Sequence, residues 1–368
     1  MATIVARGNK WQAKVRRNGY PPMSKSFARH SDAESWARQQ EAEMDRGAWR
    51  DRSSADSTTF YKLLERYAKD VSPTKRGADI EKLRIDALMR DDISRYKLSG
   101  LSPLVLAEWR DKRLAAGCAG ATVRRELDIV SAVMNWARRE LMIEVENPVA
   151  GIRRPPPSRA RERRFERDEE ARLFKALEDH ADEDPASKAY RKGSRNPYIK
   201  PLVSLATATA MRRGELLSLR WSNVDLDART AHLPETKNGD SRTVPLSTKA
   251  VGILQELQDL RDKRAKKDNS DIDNVVFPIS IAAIKKCYER ALGRARADYV
   301  VECEKVGTKP DDRLLGLRFH DLRHEATSRL AERLDNILEL SAVTGHRDVR
   351  MLKRYYHPRA EDLARKLG

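Results

Sequence analysis

The sequence predicts a mainly α chain with small β elements, an α+β architecture in three domains. Three observations carry that expectation. Apolar residues recur at i, i+3, i+4 and i+7 over most of the chain. Short strand signals are confined to the N-terminal stretch and to positions 229–246. Polar segments near residues 50 and 155, the second rich in Pro and Arg, interrupt the periodic regions. A chain of 368 residues is long enough for several separate cores.

Residues 1–50 read as a small module of sheet plus helix. Trp11, Ala13 and Val15 alternate with Lys10, Gln12, Lys14 and Arg16, the period of a half-buried strand. Asn18-Gly19 is a turn signal before a second extended run, Met23–Phe27. Ser31-Asp32-Ala33-Glu34 reads as a capping box opening a helix to Gly47, with Trp36 packed on the sheet. Lys10, Gln12, Lys14 and Arg16 then form the outward face. It suits a DNA major groove and equally an ordinary solvated strand face.

Arg50 to Asp56 reads as a linker, and residues 57–149 as a compact helical domain. Phe60, Leu63, Leu64 and Tyr67 mark one helix, and Ile80, Leu83 and Ala87 a second. Ser102-Pro103 is an N-cap followed by an N1 proline, opening a third helix. Val123, Leu127, Val130, Met134 and Ala137 define a fourth, whose outer face carries Arg124, Arg125, Arg138 and Arg139. Residues 150–164, including Arg153 and Arg154, form a proline-stiffened basic linker. Its arginines fit DNA phosphates, and a solubilising hinge fits the same composition.

The third domain spans residues 165–368. A polar insertion, His180–Asn196, precedes a buried helix with Leu202, Leu205 and Ala206. Arg229–Leu233 reads as a strand. Pro234–Lys237 and Arg242–Leu246 read as two arms of a hairpin joined around Asn238-Gly239. Helices are expected over Ser247–Lys267, Ile281–Tyr299 and Phe319–Glu332, in short pieces flanking Gly345, and over Arg359–Lys366.

The formal charge of +17, on a background of 35% charged residues, favours polyanionic partners such as nucleic acid. Cys118, Cys287 and Cys303 are scattered without a Cys-x-x-Cys pair, which supports neither a zinc knuckle nor a disulfide framework. The N-terminus has no apolar run fit for a signal peptide, and no stretch is apolar enough to span a bilayer. The expectation is a cytoplasmic protein with no membrane partner.

The chemistry concentrates near the C-terminus. His320, Arg323 and His324 lie at i, i+3 and i+4 and share one side of a helix. A polar cluster among Leu317, Phe319, Leu322 and Leu330 is costly to bury without partners, which points to a site. Five boxes then occur in order. They are A-M-R-R-G-E-L-L-S-L-R-W, T-K-N-G-D-S-R-T-V-P-L, H-D-L-R-H, T-G-H and R-Y-Y-H-P. Together they resemble the boxes of the tyrosine recombinase, or phage integrase, family. The wording H-L-P-E-T-K-N-G and M-L-K-R-Y is similar to shufflon-type DNA invertases of that family.

The resemblance implies an arm-type DNA-binding module over 1–50, a core-binding domain over 57–149 and a catalytic domain over 165–368. It places Arg212 and Arg323 on the scissile phosphate, where planar, permanently charged forks bind oxygen pairs. It makes Lys237 the acid for the 5′-oxygen, His320 an aid to proton transfer at the tyrosine, and His346 a phosphate hydrogen-bond donor. Tyr355 would be the nucleophile, forming a 3′-phosphotyrosine, with Tyr356 its direct rival. The ester preserves the energy of the bond it replaces, so rejoining requires no cofactor and no metal. The implied partners are double-stranded DNA with inverted-repeat core sites and arm sites, three further copies of the chain, and an accessory bending or directionality protein.

Rival readings remain open at this level. His320 and His324 have the i, i+4 spacing of a zinc pair, although Arg323 on the same face would repel a cation. A DNA-binding regulator without catalysis would share the basic domains. A type IB topoisomerase would share the tyrosine ester. Glu215 reads as structural, buried against a basic group, and His324 as a packing residue or neighbour of the phosphate.

Overall fold

The computed structural model describes residues 2–158, 161, 163–178, 194, 196–234, 241–268, 274–334, 336–356 and 364. The chain divides into two compact units, Met1–Ala160 and Arg161–Gly368.

The first unit opens with an antiparallel sheet, β1 (Ala2–Arg7), β2 (Lys10–Val15) and β3 (Met23–Phe27), in that order. Ala13 and Val15 are fully buried on one face against Ala33, Ala37 and Met44 of α1 (His30–Asp45). Trp36 packs on Phe27 of β3, as expected. The reading from the sequence lacked β1, which pairs with β2 along its whole length. Its six residues hold too little alternation to declare a strand alone. The capping box at Ser31 does not form. The helix begins at His30, whose ring meets Trp11 edge-on at 4.6 Å, and Arg29 at the N-cap makes no side-chain cap hydrogen bond.

Five further helices follow: α2 (Ser53–Ser57), α3 (Phe60–Asp70), α4 (Ala78–Met89), α5 (Pro103–Ala115) and α6 (Gly120–Glu140). The faces read from α3 and α6 are buried as expected. Ser102 caps α5 by accepting from the Val105 N–H at 3.3 Å, with Pro103 at N1. The face read for α4 is a correction. Ile80 is 59% and Leu83 69% exposed, Ala87 is also exposed, and Ile85 and Leu88 are buried instead. Both pairs have i, i+3 spacing, and only contact with α3 and α6 decides between them.

The second unit contains α7 (Glu169–Leu177), α8 (Ile199–Thr209) and α9 (Arg213–Ser218). A small antiparallel sheet follows, β4 (Val224–Asp225), β5 (Thr230–Leu233) and β6 (Arg242–Pro245). Then come α10 (Thr248–Asp268), α11 (Ile281–Val306), α12 (Asp321–Ala331) and α13 (Ile337–Thr344). One apolar core joins α7, α8, α10, α11 and α12. The hairpin differs from the expectation. The strand at 230–233 is itself the first arm, with Leu233 opposite Arg242. Lys237 and most of both the 180–196 insertion and the expected helix at 359–366 lie outside the described residues.

The arginines at the start of this unit are not held ready for DNA phosphates. Arg161 grips Asp321 through two bonds of 2.7 Å, Arg163 bonds Glu169 at 2.5 Å, and Arg164 bonds Glu325 at 3.2 Å. All three carboxylates are buried, so each requires a cationic partner. Asp321 and Glu325 belong to α12, the helix that also carries Arg323. Among the described residues no helix is long and apolar enough to cross a membrane.

Candidate active site

The site is built where α8 ends. Ala210 caps that helix in the left-handed region at φ 54°, fully buried, and the chain then turns so that Arg212 becomes the N-cap of α9. Glu215, in the first turn of α9, accepts from the Arg212 backbone N–H at 2.7 Å and from its guanidinium at 2.8 Å. This reciprocal bonding fixes Arg212 against its own helix. Its other nitrogen donates to the Gly345 carbonyl at 3.1 Å.

Glu215 is 4% exposed and serves more than one cation. Arg242, at the start of β6, donates to both its oxygens at 2.9 and 3.0 Å, and Arg323 lies 4.0 Å away. Burial pushes the Glu215 carboxyl upward, but Arg242 and Arg212 outweigh it and hold it below the usual carboxylate range. Glu215 is thus buried against basic groups, as read. Arg242 was not singled out in the sequence. It also explains Gly345: φ there is +68°, and a Cβ would meet the Arg242 guanidinium carbon at 2.9 Å.

Arg323 projects from α12 and is 5% exposed. It donates to the Ala210 carbonyl at 2.5 Å and to the Thr344 carbonyl at 2.6 Å. Burial, then the neighbouring Arg212, lowers its pKa to about 9. The adjacent carbonyls of Thr344 and Gly345 therefore hold one guanidinium each, Arg323 and Arg212. Three guanidiniums share one carboxylate in this neighbourhood.

His346 follows at once. Its Nε2 stands 3.5 Å from Arg323, and its Nδ1 2.7 Å from the Thr344 hydroxyl. That hydroxyl donates its one hydrogen to the Leu340 carbonyl at 2.6 Å, so Nδ1–H of His346 must donate to it. Nε2 is then the bare nitrogen. Burial, then Arg323 and Arg212, lowers the His346 pKa to about 3.

Tyr355 closes the site just after a short 3-10 turn, Val349–Leu352. Its hydroxyl is hydrogen-bonded to Nδ1 of His324, and the two rings stack with centroids 5.9 Å apart. His320 is exposed and meets His324 edge-on, centroids 5.2 Å apart. Burial, then His320, lowers the His324 pKa to about 4. His324 contacts the tyrosine that the sequence reading paired with His320. The spacing signal for it was present in H-D-L-R-H, but its partner lies 31 residues away.

Arg212, Arg323, His346 and Tyr355 thus meet in one neighbourhood, with His320 at its edge and Lys237 outside the described residues. Among the described residues no group of three or more His, Cys, Asp or Glu is arranged to hold a metal. Cys118, Cys287 and Cys303 are free.

The expected DNA-binding residues lie in the first unit and have varied surroundings. Gln12 and Lys14 sit on the central strand, flanked by Val5 and Ser26 and by Thr3 and Ser24. Lys10 and Arg16 are exposed. Arg125 and Arg153 are exposed, whereas Arg124 donates to the Pro155 carbonyl at 2.6 Å and Arg154 pairs with Asp128.

The model of the phage integrase family matches residues 163–362. A shufflon-specific DNA recombinase of Escherichia coli is 35% identical over 83% of this chain and 71% of its own length. A putative integrase/recombinase of Haemophilus influenzae is 31% identical over 99% of this chain and 88% of its own. Among solved structures, a lambda integrase tetramer bound to a Holliday junction superposes with a TM-score of 0.60 at 18% identity, covering 96% of this chain and 94% of that one. The Tn1549 transposon integrase in complex with transposon right end DNA gives 0.61 at 14% identity, covering 84% and 98%. The last two likenesses speak to fold. The chain belongs to the phage integrase family and is a tyrosine-type site-specific DNA recombinase.

Proposed function

We propose that Tyr355 cuts one DNA strand by attacking the scissile phosphate, forming a 3′-phosphotyrosine and releasing a 5′-hydroxyl. The carrying observation is the cluster of Arg212, Arg242 and Arg323 around the single carboxylate of Glu215, with Tyr355 in electrostatic reach of Arg323 and hydrogen-bonded to its neighbour His324. Cations buried in excess are costly until an anion joins them. A phosphodiester supplies that anion and is the reacting group. Arg212 and Arg323 would hold its non-bridging oxygens and stabilise the charge of the transition state. His346 would turn donor as the arriving negative charge raises its affinity for a proton. Lys237 would protonate the leaving 5′-oxygen. His320, at the site's edge, would assist proton transfer. The reverse attack by a 5′-hydroxyl reseals DNA, since the tyrosyl ester keeps the bond energy. No step calls for a metal or a nucleotide.

The sheet-and-helix module over 1–50 would read arm sites. The helical domain over 57–149 would bind inverted-repeat core sites, aided by the exposed Arg125 and Arg153. Four copies would exchange strands on DNA, in the manner of the integrase tetramer solved on a Holliday junction. An accessory bending or directionality protein fits an arm-site reader. The outcome favoured by the arm module is integration and excision of a mobile element. Inversion is the second reading, favoured by the 35% identity to the shufflon-specific recombinase.

The test is a plasmid carrying two copies of the DNA that flanks this gene, in direct or inverted orientation, incubated in EDTA. Deletion from direct copies and inversion from inverted copies are expected. Product from inverted copies alone would select the invertase. Absence of product from both, with DNA bound, would contradict recombination at that site.

A further inference from the structure

His324 makes a contact that the roles above leave unused. It follows Arg323 on α12 and is 8% exposed. Its Nδ1 meets the Tyr355 hydroxyl, with the rings stacked at an interplanar angle of 29°. His320 stands edge-on behind it at 86°, and the Arg354 guanidinium lies over the Tyr355 ring at 5.0 Å.

A phenol carries one O–H. To attack phosphorus, its oxygen must present a lone pair, so the hydrogen must point elsewhere. Without an acceptor, rotation about the C–O bond scatters the lone pairs. A fixed acceptor removes that freedom before the reaction begins. A neutral imidazole accepts at its bare nitrogen, so bonding at Nδ1 places the ring hydrogen on Nε2. An imidazolium would donate instead and occupy the lone pair that the attack requires. The buried position beside His320 and Arg354 favours the neutral ring.

We propose that His324 is the positioning residue of the nucleophile: its Nδ1 accepts the Tyr355 O–H and turns an oxygen lone pair toward the phosphate. The proposal rests on Tyr355 as the nucleophile. It differs from a packing role in what it requires of the side chain. Positioning needs an acceptor at Nδ1, whereas packing needs a ring.

The experiment measures the rate of SDS-stable adduct formation by the full chain on a nicked duplex from the flanking DNA. It compares wild type with His324→Asn, His324→Phe, His324→Ala and Tyr355→Phe. Asn places its amide oxygen about where Nδ1 sits, and Phe keeps the ring but has no acceptor. Gel shifts and melting temperatures identify variants that bind and fold as wild type. Positioning predicts that His324→Asn stays within about fivefold of wild type and that Phe and Ala fall by about 30-fold or more, as a misaligned attack does. His324→Phe at the wild-type rate, or His324→Asn as slow as Ala, would overturn it. Tyr355→Phe keeps the two readings separate. If that variant still forms the adduct, the nucleophile lies elsewhere and the assignment of Tyr355 fails first.

Discussion

Glu215 is the residue on which the local electrostatics turn. Its two oxygens accept from Arg212 and Arg242, with Arg323 at 4.0 Å. Glu215→Gln leaves mutually repelling guanidiniums without their counter-charge. The expected cost is about 3–5 kcal/mol of folding stability, the scale for a broken buried ion pair, read by urea denaturation. A loss below about 1 kcal/mol would mean that the arginines repack. His324, buried, and His346, half-buried, make a second prediction. The pKa values of His324 and His346 are lowered to about 4 and about 3, from about 6.5 in the unfolded chain. Between those limits the unfolded chain binds protons that the folded chain does not, so stability is lost as pH falls below about 6.5. The urea midpoint should drop between pH 7.5 and pH 5, and His346→Gln should reduce that drop. Arg212, Arg323, His346 and Tyr355 were legible because their boxes occur in order. Arg242 was not, because one arginine near a hairpin carries no signal and its carboxylate is 27 residues away.

At the scale of elements, backbone shape and linker contacts place α12 and the turn before α9. Ala210 adopts φ 54°, the left-handed region that favours glycine. An L residue in that region costs roughly 1–2 kcal/mol, partly offset by the extra chain entropy glycine loses on folding. Ala210→Gly should therefore raise stability by up to about 1 kcal/mol, measured as a higher melting temperature. A fall of similar size would place the strain elsewhere. The carboxylates of Asp321 and Glu325 hold α12 from behind through Arg161 and Arg164. Arg161→Ala strands a 3% exposed aspartate and should cost about 1–3 kcal/mol in urea denaturation. These arginines read as phosphate contacts in the sequence because their partners are some 160 residues away. The α4 face was misread for the same reason: two apolar pairs fit the helical period, and only tertiary packing selects Ile85 and Leu88.

At the scale of the whole molecule, a net charge of +17 acts on DNA over a distance set by salt. Affinity for duplex DNA should fall by about a thousandfold or more between 50 and 200 mM salt, the behaviour of a protein neutralising six or more phosphates. A shallow dependence in fluorescence titrations would assign the basic residues to solubility. The helical character and much of the cores of the two units, the α4 face excepted, were legible from apolar period. The place of Arg242 beside residues 212 and 323 was not, since it depends on how β6 packs against α9 and α13.

The most direct test of the account is covalent trapping followed by peptide mapping. Wild type, Tyr355→Phe and Tyr356→Phe are incubated in EDTA with DNA flanking the gene, and the SDS-stable adduct is digested and sequenced by mass. The account predicts an adduct on Tyr355 in wild type and in Tyr356→Phe, and none in Tyr355→Phe. An adduct on Tyr356, or none in wild type despite bound DNA, would contradict it.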